Sequence, residues 1–160
     1  LIGKTFGHLE QSCFLKENYS INEGMPPEIN LLNEKNNGEC LLNLIKKGYI
    51  KSAHDVSLGG LLTAVSKMCI KGNKGIKLEK TKKLMSDNEY FFSEDQSRYI
   101  VEIGQKDLKE VSKILDKNSI HHEKLGVIIE KNMIINEKTK VTIDELKSYY
   151  KDWLNKYMSS

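Results

Sequence analysis

Among its 160 residues the chain has two prolines, adjacent at Pro26-Pro27, three cysteines, one tryptophan and a single arginine, Arg98. With so little proline, and with 39% hydrophobic and 29% charged residues, no long disordered tract is expected. Cys13, Cys40 and Cys69 are odd in number, far apart and outside any CxxC or Cys/His ligand spacing. That argues against a disulfide framework and a structural zinc site, and for a reducing, cytoplasmic setting. No stretch approaches the roughly 18 consecutive apolar residues of a membrane span, and no basic stretch leads into an apolar signal region. Blocks of like charge are missing too: basic residues exceed acidic ones by 25 − 22 = +3 and are spread along the chain, so neither nucleic acid nor membrane is expected as a partner. The scarcity of Arg beside abundant Lys, Asn and Ile reads as a compositional bias and identifies no partner.

What is present fits one compact domain, which at this length buries about 70% of the surface of the unfolded chain. The first residue is Leu, and Leu1-Ile2-Gly3 reads like the end of a strand already under way, so an upstream portion is expected. Pro26-Pro27-Glu28, the apolar positions Ile29, Leu32, Cys40, Leu41, Leu44 and Ile45, and the closing Lys46-Lys47-Gly48 predict a helix over roughly 28 to 47, with Asn36-Asn37-Gly38 a place where it could break. Tyr49 to His54 reads as a buried strand running into a loop. From Gly60 the positions Leu61, Ala64, Val65, Met68 and Cys69 mark one helical face as far as Gly72. Ile76 and Leu78 alternate like a half-buried strand, and Tyr99 to Ile103 is a stronger one, with the aromatics Tyr90-Phe91-Phe92 between them. Leu108, Val111, Ile114 and Leu115 mark another helical face, Lys124 to Ile129 and Asn132 to Ile135 are further strands, and Thr142 with Glu145 forms a capping box ahead of an amphipathic helix through Leu146, Tyr149, Tyr150, Trp153, Leu154 and Tyr157. With no repeat or linker, strands and helices are expected to share one core, and the class is α+β.

Two segments can carry chemistry. Ser52-Ala53-His54-Asp55-Val56-Ser57-Leu58-Gly59-Gly60-Leu61 sets small and polar groups between a strand and a helix start, where free backbone N–H groups and the helix dipole favour an anion such as phosphate. Gly59 and Gly60 let the backbone approach a ligand. The plainer alternative is that Ser57 or Asp55 caps the helix and the glycines make a tight turn. Phe92-Ser93-Glu94-Asp95-Gln96-Ser97-Arg98 places carboxylates, an amide and the sole arginine before a strand, able to hydrogen-bond a ribose, a carboxamide or a phosphate. Its alternative is a solvated loop with Arg98 paired to Glu94. His8 and His121-His122 lie in polar surroundings and are discounted as catalytic.

The two segments, in this order and about 35 residues apart, resemble the last domain of the phosphoribosylformylglycinamidine synthase family, whose patterns are S-A-H-D-V-S-[ED]-G-G-L and F-S-E-S-Q-x-R. Leu1 to Thr5 resembles its L-L-G-x-T, Ser12 to Leu15 its S-E-Y-L, and Pro26 to Leu31 its P-P-E-V-D-L, so the resemblance covers roughly residues 1 to 130. Sister families that share the domain, aminoimidazole ribonucleotide synthetase among them, differ at the first motif. The resemblance implies a layered α/β domain with a mixed, largely antiparallel sheet and packed helices, like the C-terminal domain of aminoimidazole ribonucleotide synthetase. It also implies an ATP-dependent ligase: ATP phosphorylates the formamide oxygen of formylglycinamide ribonucleotide, and glutamine-derived ammonia displaces the phosphate to give an amidine. The chain then corresponds to the fourth and last unit of a longer synthetase. Its expected partners are the upstream nucleotide-binding domains and a glutamine amidotransferase component. ATP and Mg²⁺ are expected for the full-length enzyme, and no cofactor and no activity for the fragment alone.

By the same resemblance, His54, Asp55, Ser57, Gly59, Gly60, Ser93, Glu94, Gln96 and Arg98 are the substrate- or nucleotide-binding candidates; no catalytic residue and no metal ligand is assigned. The chain departs from the family pattern at Leu58 for an acidic residue, Asp95 for Ser, Glu10-Gln11 for Gly-Gly and Cys13 for Glu. A carboxylate at 95 repels phosphate. These departures motivate a second reading, a non-catalytic module that supports an auxiliary nucleotide site, and a free-standing binding protein is a third.

Overall fold

An asparagine pair followed by glycine is a poor helix interior, yet the predicted first long helix is continuous, because the second asparagine has a partner. Asn37 is buried and its side-chain amide donates to the Ser97 carbonyl at 2.9 Å, so the backbone gains nothing by breaking there. The computed structural model describes residues 1–81 and 84–159, and the side chains of all of these except 151–156. Its elements are α1 (Cys13–Tyr19), α2 (Leu31–Lys46), β1 (Ile50–Asp55), α3 (Gly60–Gly72), β2 (Gly75–Leu78), α4 (Asp87–Phe92), β3 (Tyr99–Ile103), α5 (Leu108–Lys117), β4 (Gly126–Ile129), β5 (Asn132–Ile135), β6 (Thr139–Thr142) and α6 (Ile143–Met158). They fall into two compact units, Leu1–Ala64 with Lys82–Lys124 and Val65–Thr81 with Leu125–Ser160, the division crossing α3.

In the first unit β1 and β3 pair antiparallel, Asp55 opposite Tyr99 and Ile50 opposite Ile103. Ile2 adds isolated bridges to Tyr99 and His122. The reading of Leu1-Ile2-Gly3 as strand-like backbone thus corresponds to bridges rather than a full strand. The core joins Ile2 to Cys40, Leu41 and Leu44 of α2 and to Val111, Leu115 and Ile120 in and after α5. Cys40, Leu41 and Leu44 recur at helical spacing, while Leu31, Leu32, Leu42 and Ile45 stay exposed. The aromatic run Tyr90-Phe91-Phe92 belongs to α4, a short helix that the sequence reading missed, capped reciprocally by Ser86 and Glu89. Phe92 stacks on Phe14 of α1 at 4.7 Å between ring centroids, which fixes a second helix that is too short to declare itself by periodicity.

The second unit holds a four-stranded sheet in the order β4-β2-β5-β6. β2 is antiparallel to β4 and parallel to β5, and β5 is antiparallel to β6. The expected mixed, largely antiparallel sheet is this one; β1 and β3 form a separate pair. β4 and β5, only two residues apart in sequence, do not pair with each other, since β2 lies between them. α6 starts at the predicted box, with the Glu145 amide donating to Thr142 Oγ1 at 3.1 Å and the Thr142 amide to Glu145 Oε2 at 2.8 Å. Its predicted apolar face is not buried at Tyr149, Tyr150 or Tyr157, the hydroxyls making exposure tolerable; Trp153 and Leu154 lie outside the described side chains. No helix among the described residues is long and apolar enough to cross a membrane.

Leu44 is fully buried. Leu44→Ala is expected to destabilise the chain by about 2–5 kcal/mol, read as a lower midpoint in urea unfolding with an unchanged slope.

Candidate functional site

The two sequence motifs meet. Gly59 and Gly60 have φ of +84° and +71°, a left-handed pair that turns the chain out of β1 and into α3. A side chain at Gly60 would place its Cβ 2.6 Å from the Phe92 carbonyl carbon and the Ser93 oxygen, so the first motif lies directly on the backbone of the second. Two hydrogen bonds join them: the Gly59 amide donates to Glu94 Oε1 at 2.9 Å, and the Val56 amide to the Arg98 carbonyl at 2.9 Å.

Charge is then distributed in a way the sequence did not suggest. Glu94 Oε1 also accepts from the Cys13 amide at 2.8 Å, at the first turn of α1. Asp95 turns inward, accepting from the amides of Phe6 and Gly7 at Oδ2 (2.9 and 3.1 Å) and of His8 at Oδ1 (3.2 Å). Arg98 is buried, 1% exposed. Its Nη1 lies 3.8 Å from Asp95 Oδ2 and donates to Thr5 Oγ1 at 3.2 Å, Nη2 donates to the Ser93 carbonyl at 2.6 Å and Nε to the Asp95 carbonyl at 3.1 Å. Burial pushes the guanidinium pKa down, while Asp95 first, then Glu123, Tyr90 and Glu94, push it back up. The alternative of a solvated loop with an Arg98–Glu94 pair is therefore corrected: the ion pair is with Asp95 and is internal, where Nε, Nη1 and Nη2 each find an oxygen acceptor. A carboxylate at 95 does not confront a phosphate; it faces backbone amides.

Ser93 is fully buried, and its Oγ has no hydrogen-bond partner among the described residues. The outward members of the candidate set are His54, Asp55, Ser57 and Gln96. His54 is partly exposed, with Nδ1 2.6 Å from the Asp55 carbonyl and 3.4 Å from its carboxylate; Asp55, Ser57 and Gln96 are exposed. Leu58 is 68% exposed. Residues outside the predicted set complete the arrangement. Glu34 accepts from Ser97 Oγ at 2.5 Å and Tyr99 Oη at 2.7 Å, and the two hydrogen bonds, Ser97's first, hold its carboxyl below the usual range. Ser97 has φ +60°, a left-handed conformation that this acceptor and Asn37 secure. His8, dismissed on sequence, supplies its amide to Asp95, its carbonyl to the Glu94 amide and its ring Nε2 to the Met25 carbonyl at 2.8 Å. Spacing could not reveal these contacts because the partners lie 17 to 89 positions away. Among the described residues no group of three or more His, Cys, Asp or Glu is placed to hold a metal ion.

Gln11, where the family pattern has Gly, sits at φ +55°. Its side chain compensates by donating to the Gly24 carbonyl at 2.6 Å, and Glu10 accepts from the Met25 amide at 2.7 Å. The departure from Gly-Gly thus exchanges backbone freedom for a side-chain clasp on residues 24–25.

A domain with this strand, glycine turn and helix, crossed by an acidic loop that ends in a buried arginine, belongs to a defined class. The family described as "AIR synthase related protein, C-terminal domain" matches residues 7–136, and the chain belongs to that family. Within it the chain is 55% identical, over all 160 residues, to 22% of the "Phosphoribosylformylglycinamidine synthase subunit PurL" of Pelagibacter ubique (strain HTCC1062). It is 33% identical, over 99% of its length, to 22% of the subunit of the same name from Bartonella quintana (strain Toulouse). The chain thus spans about a fifth of the length of these curated relatives. Two solved structures share the fold: "Structure of PurLQS from Thermotoga maritima", TM-score 0.66 at 23% identity over 82% of this chain and 24% of that one, and "T. maritima PurL complexed with FGAR", TM-score 0.62 at 24% identity over 71% of this chain and 20% of that one.

Gln11→Ala keeps the left-handed strain and loses the clasp, whereas Gln11→Gly loses the clasp alone. The Ala variant is expected to be the less stable of the two by about 1 kcal/mol in denaturant unfolding. Burial, and then the Glu34 carboxylate, push the Tyr99 hydroxyl up to about 12, against about 10 for an unfolded tyrosine. Its contribution to stability is complete below pH about 10 and is lost as pH rises through about 12. Alkaline unfolding followed by circular dichroism should show this loss, and Tyr99→Phe should remove that component of the slope.

Proposed function

We propose that the chain, as one C-terminal part of a longer synthetase polypeptide, serves an ATP-dependent, amidine-forming ligase of purine biosynthesis that acts on formylglycinamide ribonucleotide with glutamine-derived ammonia. The observation that carries the reading is the 55% identity extending over every residue of the chain to a phosphoribosylformylglycinamidine synthase subunit. Complexes described as "T. maritima PurL complexed with FGAR" and "T. maritima PurL complexed with ATP" support the substrate and nucleotide classes, and "PurLQS" supports assembly with further subunits, of which a glutamine amidotransferase is the one the ammonia requires. The setting proposed is cytoplasmic, with Mg²⁺ accompanying ATP on other domains.

The residue roles divide. Gly59, Gly60, Ser93, Glu94 and Arg98 build the junction, and His54, Asp55, Ser57 and Gln96 form the face available to substrate, nucleotide or a neighbouring domain. Two of the donors that could cradle a triphosphate are engaged internally, Gly59's amide on Glu94 and Arg98 on Asp95, and among the described residues no group of three or more His, Cys, Asp or Glu is placed to hold a metal ion. No step of the chemistry is therefore assigned to a nucleotide or metal held by this chain. That distribution favours the second reading, in which the domain supports an auxiliary nucleotide site without taking part in the bond-making step.

Mixing the chain with a separately produced upstream polypeptide, ATP, Mg²⁺, ammonia and formylglycinamide ribonucleotide should yield amidine, and neither part alone should. Folded, associated parts that remain inactive would count against the ligase reading. Gln96→Ala in the mixture tells the two roles apart: a supporting domain loses assembly or stability, whereas a catalytic one assembles normally and loses turnover.

A further inference from the structure

Three consecutive backbone N–H groups aimed at one point form a concavity of positive potential, an arrangement that takes anions. Those of Phe6, Gly7 and His8 converge on Asp95, at 2.9 to 3.2 Å. Arg98 lies behind the carboxylate with its side chain fully out of solvent, Nη1 3.8 Å from Oδ2 and also donating to Thr5 Oγ1. A guanidinium and three amides around one point are the donor set of an oxyanion site. Its occupant is a side chain of the same polypeptide, 3% exposed.

We propose that Asp95 is a captive ligand: the concavity formed by residues 6–8 and Arg98 is a binding site for a small carboxylate, filled by the chain itself, and it takes a free carboxylate when position 95 has none. The inference stands independently of the ligase reading. It assigns Arg98 to holding Asp95 and not to the phosphate of a nucleotide or ribonucleotide. Glu94 shows the same economy of design next door, one oxygen receiving the amides of Cys13 and Gly59. Glu123 and Glu94 also act on Arg98 electrostatically, so loss of Asp95 leaves the guanidinium partly compensated, and the three amides are the groups that lose their acceptor.

Asp95→Ala removes the carboxylate and leaves a space of the size of formate. In chloride this variant should melt roughly 10 °C below the unaltered chain. Formate at matched ionic strength should restore at least half of that difference in a saturable way, formamide should not, and the unaltered chain should melt at the same temperature in formate and chloride. Equal effects of formate on both proteins, equal rescue by formamide, or a variant as stable as the unaltered chain would overturn the proposal. Should Asp95→Ala accumulate only as insoluble chain, its refolding yield is read in formate against chloride: a yield raised by formate alone supports the captive ligand, and equal yields overturn it.

Discussion

The ion pair between Asp95 and Arg98 is the constraint on which the rest of the first unit depends. Two charges taken out of water carry a desolvation penalty of several kcal/mol each, recovered only where geometry is good and every remaining donor and lone pair is used. The compensation here comes from Thr5 and the Ser93 and Asp95 carbonyls, which accept from Arg98, and from the three amides of residues 6–8, which donate to Asp95. The partners come from two stretches of chain distant in sequence, so satisfying the pair brings residues 5–8 onto residues 93–98. The Arg98 carbonyl then receives the Val56 amide, and the loop between β1 and α3 is drawn into the same junction.

Within that junction the side chains sort by direction. Neighbouring carboxylates repel unless separated by donors, and residues 94 and 95 answer this by turning to opposite amide sets, one at 13 and 59 and the other at 6–8. The backbone at Phe92 and Ser93 is closely approached by Gly60, which leaves no room for a side chain at position 60. What remains outside is polar and short-range: His54, Asp55, Ser57 and Gln96. A face of this kind suits contact with a ligand or domain held by other parts of a larger protein, because the neighbouring Val56 and Gly59 amides are already in use.

Much of this could be read from the residues. α2, α3, β3 and α5 follow from periodicity and caps, and the capping box of α6 from four residues. Both motifs are legible in the sequence, but their meeting is not: it rests on the Gly59–Glu94 hydrogen bond and the close approach of Gly60 to residues 92–93. The failures have physical causes. α1 and α4 are shorter than two full turns, and a helix of that length carries too few repeats to show a period. β6 hides behind Asn136 and Glu137, whose φ of +50° and +57° make a tight turn with glutamate where a glycine would have signalled one. Arg98 reads from the sequence as a ligand-binding candidate or, alternatively, a solvated partner of Glu94, since arginines are usually exposed; its burial depends on acceptors that sequence distance conceals. Gln11 is the converse case, since the family's glycine at that position correctly foretells the left-handed backbone that the structure has.

The sequence separations in the junction also bear on how it forms. The bonds from Glu94 and Asp95 to residues 6–13 close intervals of 81 to 89 positions, and that from Glu94 to Gly59 one of 35. Closure entropy rises only slowly with loop length, so the longer intervals are little harder to close than the shorter one once a stable anchor exists. The anchor available is the apolar cluster of Ile2, α2 and α5, which already brings the first residues beside β3 through the Ile2–Tyr99 bridge. Hydrophobic burial positions the segment, and the charged network then fixes its detail, because the buried carboxylate is satisfied by the amides of residues 6–8. The site is therefore a consequence of core packing in its location and of electrostatics in its detail.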